Sequence, residues 1–225
     1  MQAPARNTLQ LKAYRVLSHE LMIGRHKPGQ PLSLRRLAAR LGTSPMPIRE
    51  AVSRLIAERA LVLLPNRKVI VPWMTRELFT ELSRARQLIE GRVAEISCKR
   101  ITPGLLAELR RINAVIKRSL AKKEIGRALA QNLDFHLTLY NASRVEVLLS
   151  MIEMLWRQAG PFIALSPDLP GVKWTARYHD EIIKALEAGS LSKTRSAVQR
   201  DIEDTLQELL KHAVFEGDQV AGTGN

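Results

Sequence analysis

The chain of 225 residues has a single cysteine, few aromatic residues and no long apolar run. Cys98 cannot form a disulfide within the chain, and we expect it to be a small buried residue of a helix rather than a nucleophile. No apolar run approaches the ~20 residues that cross a bilayer, and the N-terminus lacks a signal-peptide pattern. These absences predict a cytoplasmic protein with no membrane partner.

Residues 33–59 predict two short helices joined by a tight turn. Ser33 is a good N-cap, Gly42 suits the left-handed residue after a helix, and Pro45 fits the first turn of the next helix. Each helix has an apolar stripe at steps of three and four residues, formed by Leu34, Leu37, Ala38 and Leu41 and then by Ile48, Val52, Leu55 and Ile56. Arginines on the opposite face of the second helix complete the pattern of a helix-turn-helix that binds DNA.

Two short apolar runs at 61–64 and 69–71 follow, and we interpret them as a β-hairpin with a basic tip, a wing beside the second helix. The alternative is an ordinary amphipathic helix pair with a solvated basic face. Charge favours DNA, because residues 1–74 hold 13 Lys and Arg against 3 Asp and Glu, whereas the remainder holds 22 against 19. A basic excess concentrated in this segment is typical of proteins with a polyanionic partner.

The organisation of the chain changes near residues 72–75, where Pro72 ends the wing and Thr75 can cap a new helix. We therefore predict a winged helix-turn-helix domain at 1–74 and an all-α domain at 75–225. A helix at about 8–24 precedes the helix-turn-helix. The later periodicity predicts helices from 75 to about 100 and at 103–121, 124–142, 145–160, 171–188 and 190–214. No β-type alternation survives after residue 71, so the fold class is mainly α, a winged domain followed by a helical bundle.

Four polar residues of the second domain are candidates for a metal site. Asn132 and His136 are four residues apart on one face of a helix, His179 lies on a later helix and Asp201 on the last. Ligands that converge from several helices are a recurring way to build a metal site in a bundle. Spacing alone leaves the alternative that these are separate structural residues.

The motifs resemble those of a known family. The run Pro28-Gly29…Leu34…Leu37-Ala38…Leu41-Gly42-Thr43-Ser44…Pro47-Ile48-Arg49-Glu50-Ala51…Leu55 is similar to the winged helix-turn-helix of GntR-type bacterial transcription regulators. The resemblance implies DNA contacts, which we expect from Arg35, Ser44, Met46, Arg49, Arg67 and Lys68. Pro45 stands where the family usually has an arginine, and Lys68 replaces the usual wing glycine. Arg49 is placed to read guanine or to hold a phosphate.

The second domain resembles the FCD effector domain of the FadR branch of that family. Arg86…Glu90, Phe135-His136…Tyr140…Ala142-Ser143 and His179…Ile183…Leu186-Glu187-Ala188-Gly189 carry the likeness. The resemblance implies a divalent metal such as Zn²⁺, Ni²⁺ or Mn²⁺ held by Asn132, His136, His179 and Asp201. Here Asn replaces the usual Asp and Asp201 replaces the third His.

Arg86 is the candidate to clamp a carboxylate effector, because a guanidinium can bind a carboxylate with two hydrogen bonds. The alternatives are that this arginine is solvated or paired with Glu90 four residues on.

Three hypotheses follow from different classes of protein. The preferred one is a ligand-responsive transcription regulator, which we expect to be a repressor and a homodimer on a palindromic operator in double-stranded DNA, with a small carboxylate effector. The second is a metal-dependent enzyme fused to a DNA-binding domain. It is disfavoured because the sequence shows no HExxH, no acid–base pair of carboxylates and no nucleophile with a base. The third is an architectural DNA-binding protein whose second domain only dimerises.

Overall fold

The computed structural model describes residues 5–169 and 175–218. The protein is mainly helical with one small sheet, which confirms the predicted fold class. Its buried apolar residues form two clusters, one in the N-terminal segment and a larger one among the later helices. No helix in the described ranges is long and apolar enough to span a bilayer.

The N-terminal segment contains three helices and a three-stranded sheet. The helices are α1 (Ala5–Met22), α2 (Leu34–Arg40) and α3 (Pro45–Ala57), and the strands are β1 (Pro31–Leu32), β2 (Val62–Leu63) and β3 (Val69–Ile70). The strand order is β1-β3-β2 with antiparallel pairing, so the hairpin β2–β3 has β1 added to its edge. Sequence analysis predicted the hairpin but not β1.

Capping chemistry explains the ends of α2 and α3. The Ser33 hydroxyl accepts a hydrogen bond from the Arg36 amide at 3.3 Å, and Gly42 follows α2 with φ of +62°. Ser44 occupies the N-cap position of α3 but makes no side-chain capping bond. The first helix lies behind this pair, since α1 packs on α3 around fully buried side chains such as Leu17, Ile48 and Leu55.

The later part is the predicted bundle of helices. Its elements are α4 (Arg76–Cys98), α5 (Pro103–Ala121), α6 (Ile125–Asn141), α7 (Glu146–Ile163), α8 (Arg177–Glu187) and α9 (Leu191–His212), with a 3₁₀ turn at Ser166–Asp168. Thr75 accepts the capping bond expected of it, and Thr102 accepts an equivalent bond from the Leu105 amide at the start of α5. Helix α7 continues through Pro161 beyond its predicted end at 160. The predicted start of α8 at 171 lies outside the described residues, and Cys98 is buried as expected.

Helices α4 and α9 lie together along the bundle, α5 pairs with α6 and α8 with α9. Helix α7 packs against α4 on one side and against α1 of the N-terminal segment on the other. At the second contact the backbones touch, because a Cβ added to Gly160 would lie 2.4 Å from the carbonyl oxygens of Leu21 and Met22. The two segments are therefore closely packed against each other through α7.

Candidate DNA-binding surface and metal centre

The residues predicted to contact DNA are exposed. On α2 and at the start of α3 they are Arg35, Ser44, Met46 and Arg49, and on the hairpin they are Arg67 and Lys68. Met46 is half exposed, which is unusual for a thioether and leaves an apolar group beside the cations. The structure thus presents these side chains to solvent on the helix-turn-helix and on the wing.

The wing turn is shaped by residues other than glycine. Arg67 adopts φ of +62°, and the Asn66 side chain accepts a hydrogen bond from the Lys68 amide at 3.1 Å. An asparagine that bonds its own backbone two residues on stabilises a turn of this kind. Asn66 therefore supplies local order where the family's glycine is absent.

Arg54 lies on the exposed face of α3, with its side chain 55% exposed, but its guanidinium contacts other residues of the protein. Its guanidinium lies 3.8 Å from the centre of the Tyr14 ring and its Nε donates to Glu58 at 3.0 Å. This arginine is consequently tied to α1 and to the end of its own helix.

The structure brings three of the four proposed metal ligands together. The Nε2 atom of His136 on α6 lies 3.3 Å from Nε2 of His179 on α8 and 3.2 Å from Oδ2 of Asp201 on α9. All three ligand atoms lie within 4.8 Å of one another. Asn132 is buried one turn before His136 on α6. The sequence pattern placed these residues on separate helices, and the packing of those helices brings their side chains together.

The protonation states suit a cation. Burial, followed by the neighbouring His136, lowers the pKa of His179 to about 3, so this imidazole is neutral at physiological pH. Burial raises the pKa of Asp201, but the hydrogen bond from His136 and nearby positive charge outweigh it and leave the pKa below its ordinary value. Neutral imidazole nitrogens with one carboxylate form a donor set that first-row divalent metals accept. The Nδ1 atom of His179 is buried and has no hydrogen-bond partner among the described residues.

A buried network lies behind His136. Glu90 on α4 is fully buried and accepts hydrogen bonds from the Tyr140 hydroxyl at 2.8 Å and from Nε1 of Trp156 at 3.0 Å. The hydroxyl has one proton, which goes to Glu90, so its oxygen can accept the Nδ1 proton of His136 at 3.1 Å. We infer from this network that Nδ1 of His136 is protonated and that Nε2 is the atom directed toward His179 and Asp201. Burial raises the pKa of Tyr140 well above its usual value, which keeps that hydroxyl protonated.

Arg86 adopts one of the arrangements that the sequence left open, the pair with Glu90. Its Nε donates to Oε1 of Glu90 at 2.7 Å, and its guanidinium lies 4.6 Å from the centre of the Trp156 ring. The side chain is only 5% exposed. The sequence did not reveal that Glu90, Tyr140 and Trp156 form one network; its local signals were the four-residue steps from Arg86 to Glu90 and from His136 to Tyr140.

Comparisons with known proteins agree with this architecture. Residues 9–71 match the family model for bacterial regulatory proteins of the gntR family, and residues 81–204 match the FCD domain. The chain is 33% identical over 154 residues to the HTH-type transcriptional regulator McbR of Escherichia coli K12, which covers 68% of this chain and 70% of that protein. It is 24% identical over 197 residues to the HTH-type transcriptional repressor RspR of the same organism, 87% of this chain and 85% of that protein.

Solved structures show the same fold. The structure of E. coli McbR/YncC matches with a TM-score of 0.83 and 27% identity over 94% of this chain and 99% of that chain. A GntR-type regulator from Rhodococcus sp. RHA1 matches with a TM-score of 0.71 and 22% identity over 90% of this chain and 97% of that chain. The chain therefore belongs to the GntR family of bacterial regulatory proteins, as a FadR-type transcriptional regulator with an FCD domain.

Proposed function

We propose that the protein is a homodimeric repressor whose FCD domain holds a divalent metal ion and a small carboxylate effector. The observation that carries the effector half of this proposal is the convergence of His136, His179 and Asp201 from three helices. Members of the family bind DNA, and the exposed cationic side chains of α2, α3 and the wing support the proposal that this protein binds an operator. One relative, RspR of Escherichia coli, is named a transcriptional repressor, which supports repression as the direction of control.

The operator contacts that we propose divide by their chemistry. Arg49 lies one turn into α3, where it can reach a guanine edge or a phosphate. Arg35, Arg67 and Lys68 are placed for phosphates, which fix the position of the protein without reading sequence. Ser44 and Met46 complete the exposed N-terminal end of α3. We therefore expect specificity to come mainly from α3 and affinity from the flanking cations.

The metal is supported by the electrostatics of the facing atoms. Nε2 of His136 lies 3.2 Å from the ionised Asp201, and this contact requires either a proton, as in a hydrogen bond, or a cation between the two atoms. A divalent cation held by His136, His179, Asp201 and Asn132 would use all of these donors, although Asn132 is a weaker donor than aspartate. Bound there, the ion would supply a Lewis-acidic position for a carboxylate oxygen.

Arg86 would contribute the second contact to the carboxylate. Its positive charge favours the ionised form of Asp201, so its field reaches the candidate metal ligands. Because Glu90 already accepts its Nε proton, an effector would share this guanidinium with Glu90. We therefore expect the effector to be a small anion that would contact both the ion and Arg86.

A homodimer accounts for apolar side chains that the bundle leaves in solvent. Leu88 on α4 and Val147 on α7 are 65% and 74% exposed, and these two helices pack against each other. A second copy of the chain could cover both residues and double the contacts with a palindromic operator. Light scattering at micromolar concentration, with and without DNA, should give the mass of a dimer, and a monomer under both conditions would contradict this assembly.

The effector half is tested by thermal melting of wild type and a His136→Ala/His179→Ala variant with added ZnCl₂ or NiCl₂. A ligand at 100 times its Kd stabilises the folded protein by about 2.7 kcal/mol, so wild type should melt higher with metal and the variant should not. Asp134→Asn is the matched control, since Asp134 is on the same helix but bonds to Gln131. Acetate, succinate and citrate are then added to the metal-loaded protein. An identical response of wild type and the histidine variant to metal and to acids would refute the site.

A further inference from the structure

Two consecutive residues of α7 contact the two functional regions of the protein. Trp156 donates its Nε1 proton to Glu90 at 3.0 Å inside the effector domain. The next residue, Arg157, places Nε 3.0 Å from Oε2 of Glu58 in the DNA-binding segment. Because neighbours on a helix point about 100° apart, one helix faces both regions at the same level.

The Trp156 side of α7 is part of the network behind the metal centre. Its ring lies under the Arg86 guanidinium and its centre is 5.5 Å from that of His136. Trp156 is almost completely buried. A shift of Glu90 must therefore either move this ring or break its hydrogen bond, and Arg86 and His136 lie in contact with the same ring.

The Arg157 side of α7 contacts Glu58 at the end of α3, the recognition helix that we propose reads the operator. Glu58 is the C-cap of α3, and its carboxylate accepts the Tyr14 hydroxyl at 2.9 Å in addition to its contacts with Arg54 and Arg157. The carbonyl oxygen of Glu58 also lies 3.4 Å from Nε2 of Gln158 on α7. Arg157 is 6% exposed, so water screens this ion pair less than a surface pair.

The close packing around α7 restricts its movement relative to the DNA-binding segment. Gly160 touches the carbonyl oxygens at the end of α1, and a Cβ added to Gly24 would overlap Ala164. The linker is also held, because the Met74 carbonyl accepts a hydrogen bond from Glu216 and Arg76 forms a two-pronged ion pair with Asp218. A displacement of α7 therefore reaches the DNA-binding segment directly, without a free hinge at residues 72–75.

We infer that Arg157 is a positioning residue that couples the network around Glu90 to the recognition helix through Glu58. The inference rests on the proposed function for its biological meaning, since the signal would be the occupancy of the metal and carboxylate site. Arg157 touches neither DNA nor the metal ligands in this role. Its removal should leave both binding sites in place and weaken the communication between them.

A double-mutant cycle tests the coupling without any ligand. The variants are Trp156→Phe, which removes the bond to Glu90, Arg157→Gln, which removes the pair with Glu58, and the combination of both. The readout is hydrogen exchange of the amides at 58–60, which bond to carbonyls in the last turn of α3. We expect Trp156→Phe to accelerate exchange at these amides at least about threefold in the wild-type background and to have no further effect beside Arg157→Gln. Equal acceleration in both backgrounds would overturn the proposal.

The same variants are then studied with ZnCl₂ and with an operator selected from random DNA by the wild-type protein. Calorimetry should show zinc binding by Arg157→Gln within about threefold of wild type, whereas the zinc-induced change in operator affinity should fall to less than half. If the variant keeps the full zinc effect, the coupling role is wrong. If wild type binds no zinc, the proposed metal site fails, and the ligand-free cycle still decides the role of Arg157.

Structural loss is separated from loss of coupling by three further variants. Glu58→Gln breaks the same ion pair from the other side and replaces Arg157→Gln in the cycle if that variant does not fold. Arg157→Lys keeps the charge and should restore part of the coupling. Arg200→Gln removes a surface ion pair with Glu181 on other helices, so it should leave exchange at 58–60 unchanged. A comparable effect of Arg200→Gln would show a general loosening and overturn the specific role.

Discussion

The Nδ1 atom of His136 lies 3.1 Å from the hydroxyl oxygen of Tyr140, one turn further along α6. Since Tyr140 gives its own proton to the buried Glu90, it selects the His136 tautomer that presents Nε2 to the other candidate ligands. Histidines that bind metals generally use their second nitrogen in this way, and such partners fix the orientation of the ring. Tyr140 is thus suited to prepare His136 for a cation.

Removal of the Tyr140 hydroxyl should therefore weaken metal binding. We expect Tyr140→Phe to lower zinc affinity by roughly 10- to 100-fold in calorimetry, as is typical when a partner of a metal-bound histidine is lost. Tyr178→Phe is the control, because that hydroxyl bonds to the exposed Arg177. An unchanged zinc Kd in Tyr140→Phe would show that another group orients His136.

The neutral, buried His179 should make the metal-free protein sensitive to acid. Its folded pKa of about 3 is below the ordinary value of 6.5, so the unfolded chain binds a proton that the folded chain excludes. This contribution to stability is complete above pH 6.5 and is lost as the pH falls toward 3, at up to about 1.4 kcal/mol per pH unit. Urea unfolding between pH 7 and pH 4 should show a weaker pH dependence in His179→Gln, whereas His212→Gln should retain that of wild type.

The contact between α7 and α1 should not tolerate a methyl group. Gly160→Ala places Cβ against two backbone carbonyls that cannot rotate away, so the helices must separate. We expect a loss of stability of about 1–3 kcal/mol, the usual cost of overpacking. Gly126→Ala is the matched control, because no atom in the described part of the chain lies within 4 Å of the added Cβ and alanine favours a helix. Thermal melting of both variants decides, and equal melting temperatures would contradict the close approach.

Arg49 offers the most direct test of the DNA surface. Arg49→Ala should weaken binding to a selected operator by ~1–3 kcal/mol if the side chain reads a base, and should relax specificity at one position. Arg111→Ala, an exposed arginine of the effector domain, controls for the loss of charge. Equal operator affinity of wild type and Arg49→Ala in gel-shift titrations would remove Arg49 from the interface.

Local chemistry made much of this fold predictable. Thr75 and Thr102 cap the helices that their sequence contexts predict, because capping involves only residues three apart. Strand β1 was missed because two residues, one of them Pro31, carry no alternation and pair with a strand almost forty positions later. The ion pair of Glu58 and Arg157 was equally invisible, since it depends on how two domains pack and on no spacing along the chain.

The candidate metal site was likewise predictable where its contacts join residues close in sequence and unpredictable where they join distant ones. Helical spacing placed Asn132 and His136 on one face of a helix, but it could not predict the bond from Tyr140 to Glu90, which joins residues 50 positions apart. The sequence allowed a local pair of Arg86 and Glu90 but could not decide between this pair, a solvated arginine and a clamp for a carboxylate. The burial of both side chains favours the pair, because a charged group removed from water needs a partner of opposite charge.

The hydrogen bond from the Glu216 amide to the Met74 carbonyl and the ion pair of Asp218 with Arg76 at the start of α4 have a consequence for the architecture of the effector domain. Phe215 inserts beside Phe79 and Phe162, so the segment after the last helix completes the core under the first. The segment after α9 is thereby fixed beside the start of α4, where the DNA-binding segment joins the bundle. A cut after residue 212 would remove these contacts beside the linker to the DNA-binding segment, so this short tail is part of the structural core of the molecule.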